Sequence, residues 1–192
     1  MVVVACNTAT AAAIDFLREK YSGTPIVGME PAVKPAAMAT RTGVVGVLAT
    51  AGSLGGDLFL RTSARYADRA KFVTAVGEGF VEIVEGNREK APETEEVVRQ
   101  VIEPLLEAGA DQIVLGCTHY PFLREVIEKI IGEREITVID PAPAVARRVE
   151  QLLDEFNLRA STENRAKYEF LTFAEEEYLN RLRNKALNII LR

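Results

Sequence analysis

With 192 residues, 48% of them hydrophobic and 27% charged, the chain has the make-up of a folded protein with one good core or two small lobes, not a disordered segment. A net charge of -5 and a pI near 5.1 speak against a nucleic-acid surface, which needs clustered Lys and Arg. No apolar run is long enough to span a membrane, so a small molecule is the expected partner.

The elements follow in order. Val2 to Ala5 reads as a buried-type strand that stops at Cys6, and residues 8 to 20 as an alanine-rich helix ended by Gly23-Thr24-Pro25. Ile26 to Gly28 is a short strand, and the prolines of Met29 to Pro35 suit the start of a helix. Gly43 to Ala49 is a third buried strand. Thr50-Ala51-Gly52-Ser53 then reads as a small-residue loop that offers N–H groups and hydroxyls to an anion, or as a cap at Ser53.

Lys71 to Thr74 is predicted as a strand, Phe80 to Glu85 as a short helix, and 93 to 108 as a longer helix kinked at Pro104. Ile113 to Leu115 is too short and too evenly aliphatic for an amphipathic helix, so it is read as a strand buried on both faces of a parallel sheet. Gly116 frees the backbone, and helical spacing of apolar residues resumes from Pro121. Ile136 to Ile139 is a strand, Pro141 to Phe156 a helix, and 157 to 166 a polar loop. Tyr168 to Thr172 reads as a strand, 174 to 184 as a helix, and Ala186 to Leu191 as an edge segment. The alternation of strand and helix means an α/β protein with mostly parallel sheets.

The chain's two cysteines occupy matched positions, each at the carboxyl end of a strand and the start of a helix, where open α/β sheets bind ligands. With a single histidine, they fall short of a closed zinc site, so no metal is expected. The opening residues lack the basic and apolar regions of an export signal, which implies reduced thiols in the cytoplasm. Two thiols facing one carbon from opposite sides can invert it: one takes the α-proton as thiolate and the other returns one. Each such acid–base step contributes about 10² to 10⁴ in rate. A helix amino terminus is expected to lower the pKa of both thiols. Nothing resembles a pyridoxal phosphate lysine, a GxGxxG turn or a P-loop, so no cofactor is expected.

Three segments, Cys6-Asn7-Thr8-Ala9, Gly28 to Ala36 and Leu115-Gly116-Cys117-Thr118-His119-Tyr120-Pro121, resemble the signature segments of the glutamate racemase family. The resemblance runs from residue 1 to about 155, and the separation of the cysteines fits it. It implies two pseudo-symmetric α/β lobes, residues 1–29 with 139–192 and residues 30–138, with the active site between them. It also implies cofactor-independent interconversion of L- and D-glutamate for peptidoglycan synthesis, with Cys6 and Cys117 as the two bases. Asn7, Thr8, Thr118, His119, Thr50 and Ser53 fall on substrate-binding positions, and His119 and Glu85 on positions that tune the thiols. Around Glu85 the chain departs from the family, which usually has a proline after Phe80-Val81. Aspartate-type relatives usually carry glutamate at position 119 and histidine at position 10, so His119 and Thr10 favour glutamate.

The family pattern starts earlier, with an Asp-Ser-Gly strand end and a Pro-Tyr-Gly loop that this sequence does not contain. The resemblance therefore implies a truncated first lobe and little or no racemase activity from this chain alone. Two other readings stand beside it: a non-catalytic amino-acid or dicarboxylate-binding fragment, and a thiol redox or cysteine-hydrolase protein built on Cys117 and His119. A homodimer is allowed, and no oligomeric state is read from the residues.

Overall fold

The computed structural model describes residues 1–161 and 163–190. Met1–Leu158 forms one compact unit, and the chain from Arg159 forms another. The first unit holds β1 (Val2–Val4), α1 (Asn7–Lys20), β2 (Ile26–Gly28), α2 (Val33–Ala39), β3 (Val44–Ala49), α3 (Ala51–Leu54) and α4 (Asp57–Ala64). It continues with β4 (Lys71–Val76), α5 (Phe80–Glu85), α6 (Thr94–Glu107), β5 (Gln112–Gly116), a 3-10 turn (Tyr120–Leu123), α7 (Arg124–Ile131), β6 (Thr137–Ile139) and α8 (Ala142–Glu155). Strands β1 and β2 form one parallel pair, and β4-β3-β5-β6 a parallel sheet of four.

The larger sheet is covered on both faces, which is why its central strands read as unbroken aliphatic runs. Leu48, Ile113 and Leu115 point into one layer with Val98, Ile102 and Ile127 of α6 and α7. Val45, Val47, Ala49 and Val114 point into the other, with Val33 and Ala36 of α2 and Phe59 of α4. Gly46 is dictated by the first layer: a Cβ there would lie 2.7 Å from Ile113 Cδ1 and 3.2 Å from Leu105 Cδ1.

The strand expected at Val2 to Ala5 forms, but not as a buried one: Val2 and Val3 are 47% and 42% exposed. Among the described residues β1 pairs only with β2, so a run suited to a sheet interior stands at an edge. Thr50 to Ser53 is a helical turn, not an open loop. Thr50 is the cap of α3, its side chain accepting the Ser53 N–H at 3.3 Å, so the cap sits three residues before the one the sequence suggested.

In the second unit, Tyr168 to Thr172 is not a strand. Strand propensity needs a neighbour to pair with, and this segment has none among the described residues; Leu171 is 83% exposed. The helix expected to end near Asn184 runs on as α9 (Glu176–Ile190), so residues 186–190 of the predicted edge segment are helical, and its last residue, Leu191, lies outside the described residues. Ala186 and Leu187 are strong helix formers, and with no strand beside them among the described residues, propensity decides.

Candidate active site

Cys6 follows β1 and is the N-cap of α1, its Sγ accepting the Ala9 N–H at 3.5 Å. Asn7 opens that helix with its side chain buried, and neither its amide nitrogen nor its oxygen has a partner among the described residues. A buried amide left unpaired costs about 1–3 kcal/mol, so this one calls for an explanation. Thr8, one residue on, reaches across to α3. Its hydroxyl lies 2.9 Å from Thr50 Oγ1 and 2.9 Å from Ser53 Oγ, and those two lie 3.0 Å apart. The three hydroxyls close a ring that joins the helix after β1 to the turn after β3.

Cys117 follows β5. Because β3 and β5 are register partners at Ala49 and Gly116, Thr50 and Cys117 leave adjacent strands at the same level. His119 Nδ1 is 3.8 Å from Cys117 Sγ, and its Nε2 is 3.1 Å from Glu85 Oε1. A carboxylate only accepts, so Nε2 is the donor to Glu85, and in a neutral imidazole Nδ1 is left to face the thiol as an acceptor. Glu85 ends α5 and His119 lies in the turn after β5, so the chain Glu85-His119-Cys117 joins the C-terminal end of a helix to the turn that follows a strand.

The expected lowering of the Cys117 pKa does not occur. Burial of the sulfur raises it and the Cys6 charge adds to the rise, outweighing the His119 and Tyr120 N–H groups and the Thr118 hydroxyl, which pull the other way. The anticipated helix terminus is only a 3-10 turn that starts three residues later, too far and too short to offset desolvation. Cys117 thus rests as a thiol, with His119 Nδ1 beside it. The coupling also places Cys6 within electrostatic range of Cys117, and both cysteines are free and partly buried.

The candidate site residues fall into two groups, Cys6, Asn7 and Thr8 with Thr50 and Ser53, and Cys117, Thr118 and His119 with Glu85. Thr10 has a role the sequence did not reveal. Its hydroxyl donates to the Val4 carbonyl at 3.1 Å and accepts the Met29 N–H at 3.0 Å, tying the ends of β1 and β2 together behind Cys6. In the sequence it stood out only as a mark of glutamate preference, which gives no sign of this bridge.

Comparison with known proteins bears on this arrangement. The sequence pattern of the Asp/Glu/hydantoin racemases matches residues 1–149. The chain belongs to that family. Curated relatives in this racemase family include the glutamate racemase of Ectopseudomonas mendocina, 48% identical over 159 residues, which cover 83% of this chain and 60% of that protein. The glutamate racemase of Herpetosiphon aurantiacus is 43% identical over 183 residues, 95% of this chain and 71% of that protein. The chain thus spans 60% of the length of the first of these relatives. Among solved racemases, glutamate racemase isoform RacE1 of Bacillus anthracis superposes with a TM-score of 0.83 at 29% identity, covering 97% of this chain and 69% of that one. The Escherichia coli glutamate racemase, solved with L-glutamate and the activator UDP-MurNAc-ala, gives 0.78 at 30% identity over 96% of this chain and 70% of that one. The α/β fold with parallel sheets flanked by helices is common to them. Among the described residues no helix is long and apolar enough to cross a membrane.

Proposed function

We propose that this chain carries the two-thiol acid–base site of a glutamate racemase that interconverts L- and D-glutamate without a cofactor and supplies D-glutamate for peptidoglycan. The observation that carries the reading is the unpaired buried Asn7 amide beside Cys6, with Cys117 in electrostatic range of that thiol and the strand ends around it lined by hydroxyls. Substrate lies between the β1–β2 lobe and the four-stranded lobe. Asn7, Thr8, Thr50, Ser53 and Thr118 hold its ammonium and carboxylates.

One cysteine enters as thiolate and takes the α-proton, becoming a thiol. The electron pair left on the α-carbon then takes a proton from the other cysteine, which becomes the thiolate. Charge and protons balance, and no redox partner enters. Cys117, buried as a thiol, gives up its proton to His119 Nδ1 when it must act as the base, and Glu85 stabilises the imidazolium that forms. Holding the substrate between preset groups contributes about 7–11 kcal/mol to lowering the barrier, more than either acid–base step alone. The thiols must remain reduced, which fits a cytoplasmic setting.

The test is deuterium uptake at the α-carbon of L- or D-glutamate in heavy water, read by mass spectrometry, which detects turnover too slow for polarimetry. Deuterium enters with the unaltered protein and not with Cys6→Ala or Cys117→Ala. No uptake together with calorimetric binding of D-glutamate would reduce the site to a binding module. Uptake undiminished in both variants would rule the mechanism out.

A further inference from the structure

His119 and Tyr120 are consecutive, and they grip opposite ends of α5. His119 meets Glu85 at the last residue of the helix. Tyr120 is fully buried at the other end: its ring stands edge-on to Phe80, the first residue of the helix, with centroids 5.2 Å apart at 73°, and its hydroxyl points to the Gly77 carbonyl at 3.4 Å. Gly77 is shaped to that ring. A Cβ at position 77 would lie 2.6 Å from Tyr120 Oη and 2.7 Å from Cζ, distances no side chain tolerates. A six-residue helix held at one end can pivot; held at both, its final carboxylate has a fixed place.

We propose that Tyr120 is a positioning residue: packed under Gly77 and against Phe80, it fixes the tilt of α5 and so holds Glu85 against His119. The grip comes from the ring, since a hydroxyl contact of 3.4 Å is long for O–H···O. Tyr120 touches no substrate. Its effect on catalysis rests on the racemase reading above, whereas the grip itself does not.

His119 is the only histidine of the chain, so its ring Nε2 gives a single nitrogen resonance that reports the bond to Glu85 whether or not the protein turns over glutamate. Glu85→Gln supplies the reference position for a lost carboxylate. Tyr120→Phe keeps the ring and stays at the unaltered position. Tyr120→Leu and Gly77→Ala, checked as folded by circular dichroism, move toward the Glu85→Gln position. In these two, kcat falls about tenfold to a hundredfold with KM changed by less than about twofold, as displacing a preset group by about an ångström would give. Should either fail to fold, Phe80→Leu removes the other half of the ring contact and is read in the same way. A resonance that stays in place in the folded Tyr120→Leu, Gly77→Ala or Phe80→Leu variant overturns the proposal. A resonance that moves without any change in α-proton exchange keeps the grip and sinks the catalytic reading instead.

Discussion

Removing the carboxylate of Asp111 should destabilise the fold severely, because three hydrogen-bond donors from one connection converge on it. Asp111 opens the approach to β5, is 4% exposed, and gathers the connection between α2 and β3. Thr40 Oγ1 donates to it at 2.5 Å, the Arg41 N–H at 2.6 Å and the Thr42 N–H at 3.2 Å. The Arg41 guanidinium, 3.9 Å away and 62% exposed, adds little, as solvent-screened pairs contribute about 0–1 kcal/mol. In Asp111→Ala three donors lose their acceptor in a buried place, and the loss is about 3–5 kcal/mol, a large share of the ~5–15 kcal/mol that holds a domain together. Asp111→Asn keeps an acceptor oxygen but not the charge, and loses about 1–2 kcal/mol.

The assay is urea unfolding followed by far-ultraviolet circular dichroism, since the chain has no tryptophan. At a typical slope of about 2 kcal/mol per molar, Asp111→Asn shifts the midpoint down by about 0.5–1 M. The pH dependence gives a second check. Burial pushes the Asp111 pKa up, but the bonds from Thr40, Arg41 and Thr42 outweigh it and the net value is lowered. A lowered native value means that the charged form stabilises the fold above the unfolded value of about 3.9 and that this gain fades as pH falls through the native one. The gap between unaltered protein and Asp111→Asn is therefore full at pH 7 and narrows below about pH 4. Asp111→Asn unfolding within about 0.3 kcal/mol of the unaltered protein at pH 7, or Arg41→Ala costing as much as Asp111→Ala, would refute this account.

Thr10→Val removes the bridge between the Val4 carbonyl and the Met29 N–H and destabilises the protein by about 1–3 kcal/mol, measured by the same unfolding. Gly28→Ala disturbs the same place from the other side, because its Cβ would lie 2.6 Å from Thr10 Cγ2; a drop in melting temperature is expected. With Cys6 replaced by Ala, iodoacetamide labels Cys117 with a pH midpoint above that of an ordinary thiol, as burial requires; a midpoint at or below that of a free cysteine contradicts it.

What the sequence disclosed and what it withheld have different physical origins. β3 and β5 were legible because burial on both faces leaves an unbroken aliphatic run, and the cysteines were legible because each ends such a run. The pKa direction of Cys117 was not, since it depends on how much protein closes over the sulfur. Nor were Asp111 and Tyr120, whose partners lie 71 and 43 residues away in Thr40 and Gly77. The failed strand at Tyr168 to Thr172 shows the converse: a pattern fit for a sheet is idle without an edge beside it.

The contact between β3 and β5 at Ala49 and Gly116 has an evolutionary corollary. A Cβ on Gly116 would come within 2.7 Å of Ala49 Cβ, at the spot where the strands release Thr50 and Cys117. Residue 116 has no room for a side chain while residue 49 carries a Cβ, and the Leu48 carbonyl at 3.1 Å narrows the space further. Drift at this point should therefore be visible as covariation of the two positions.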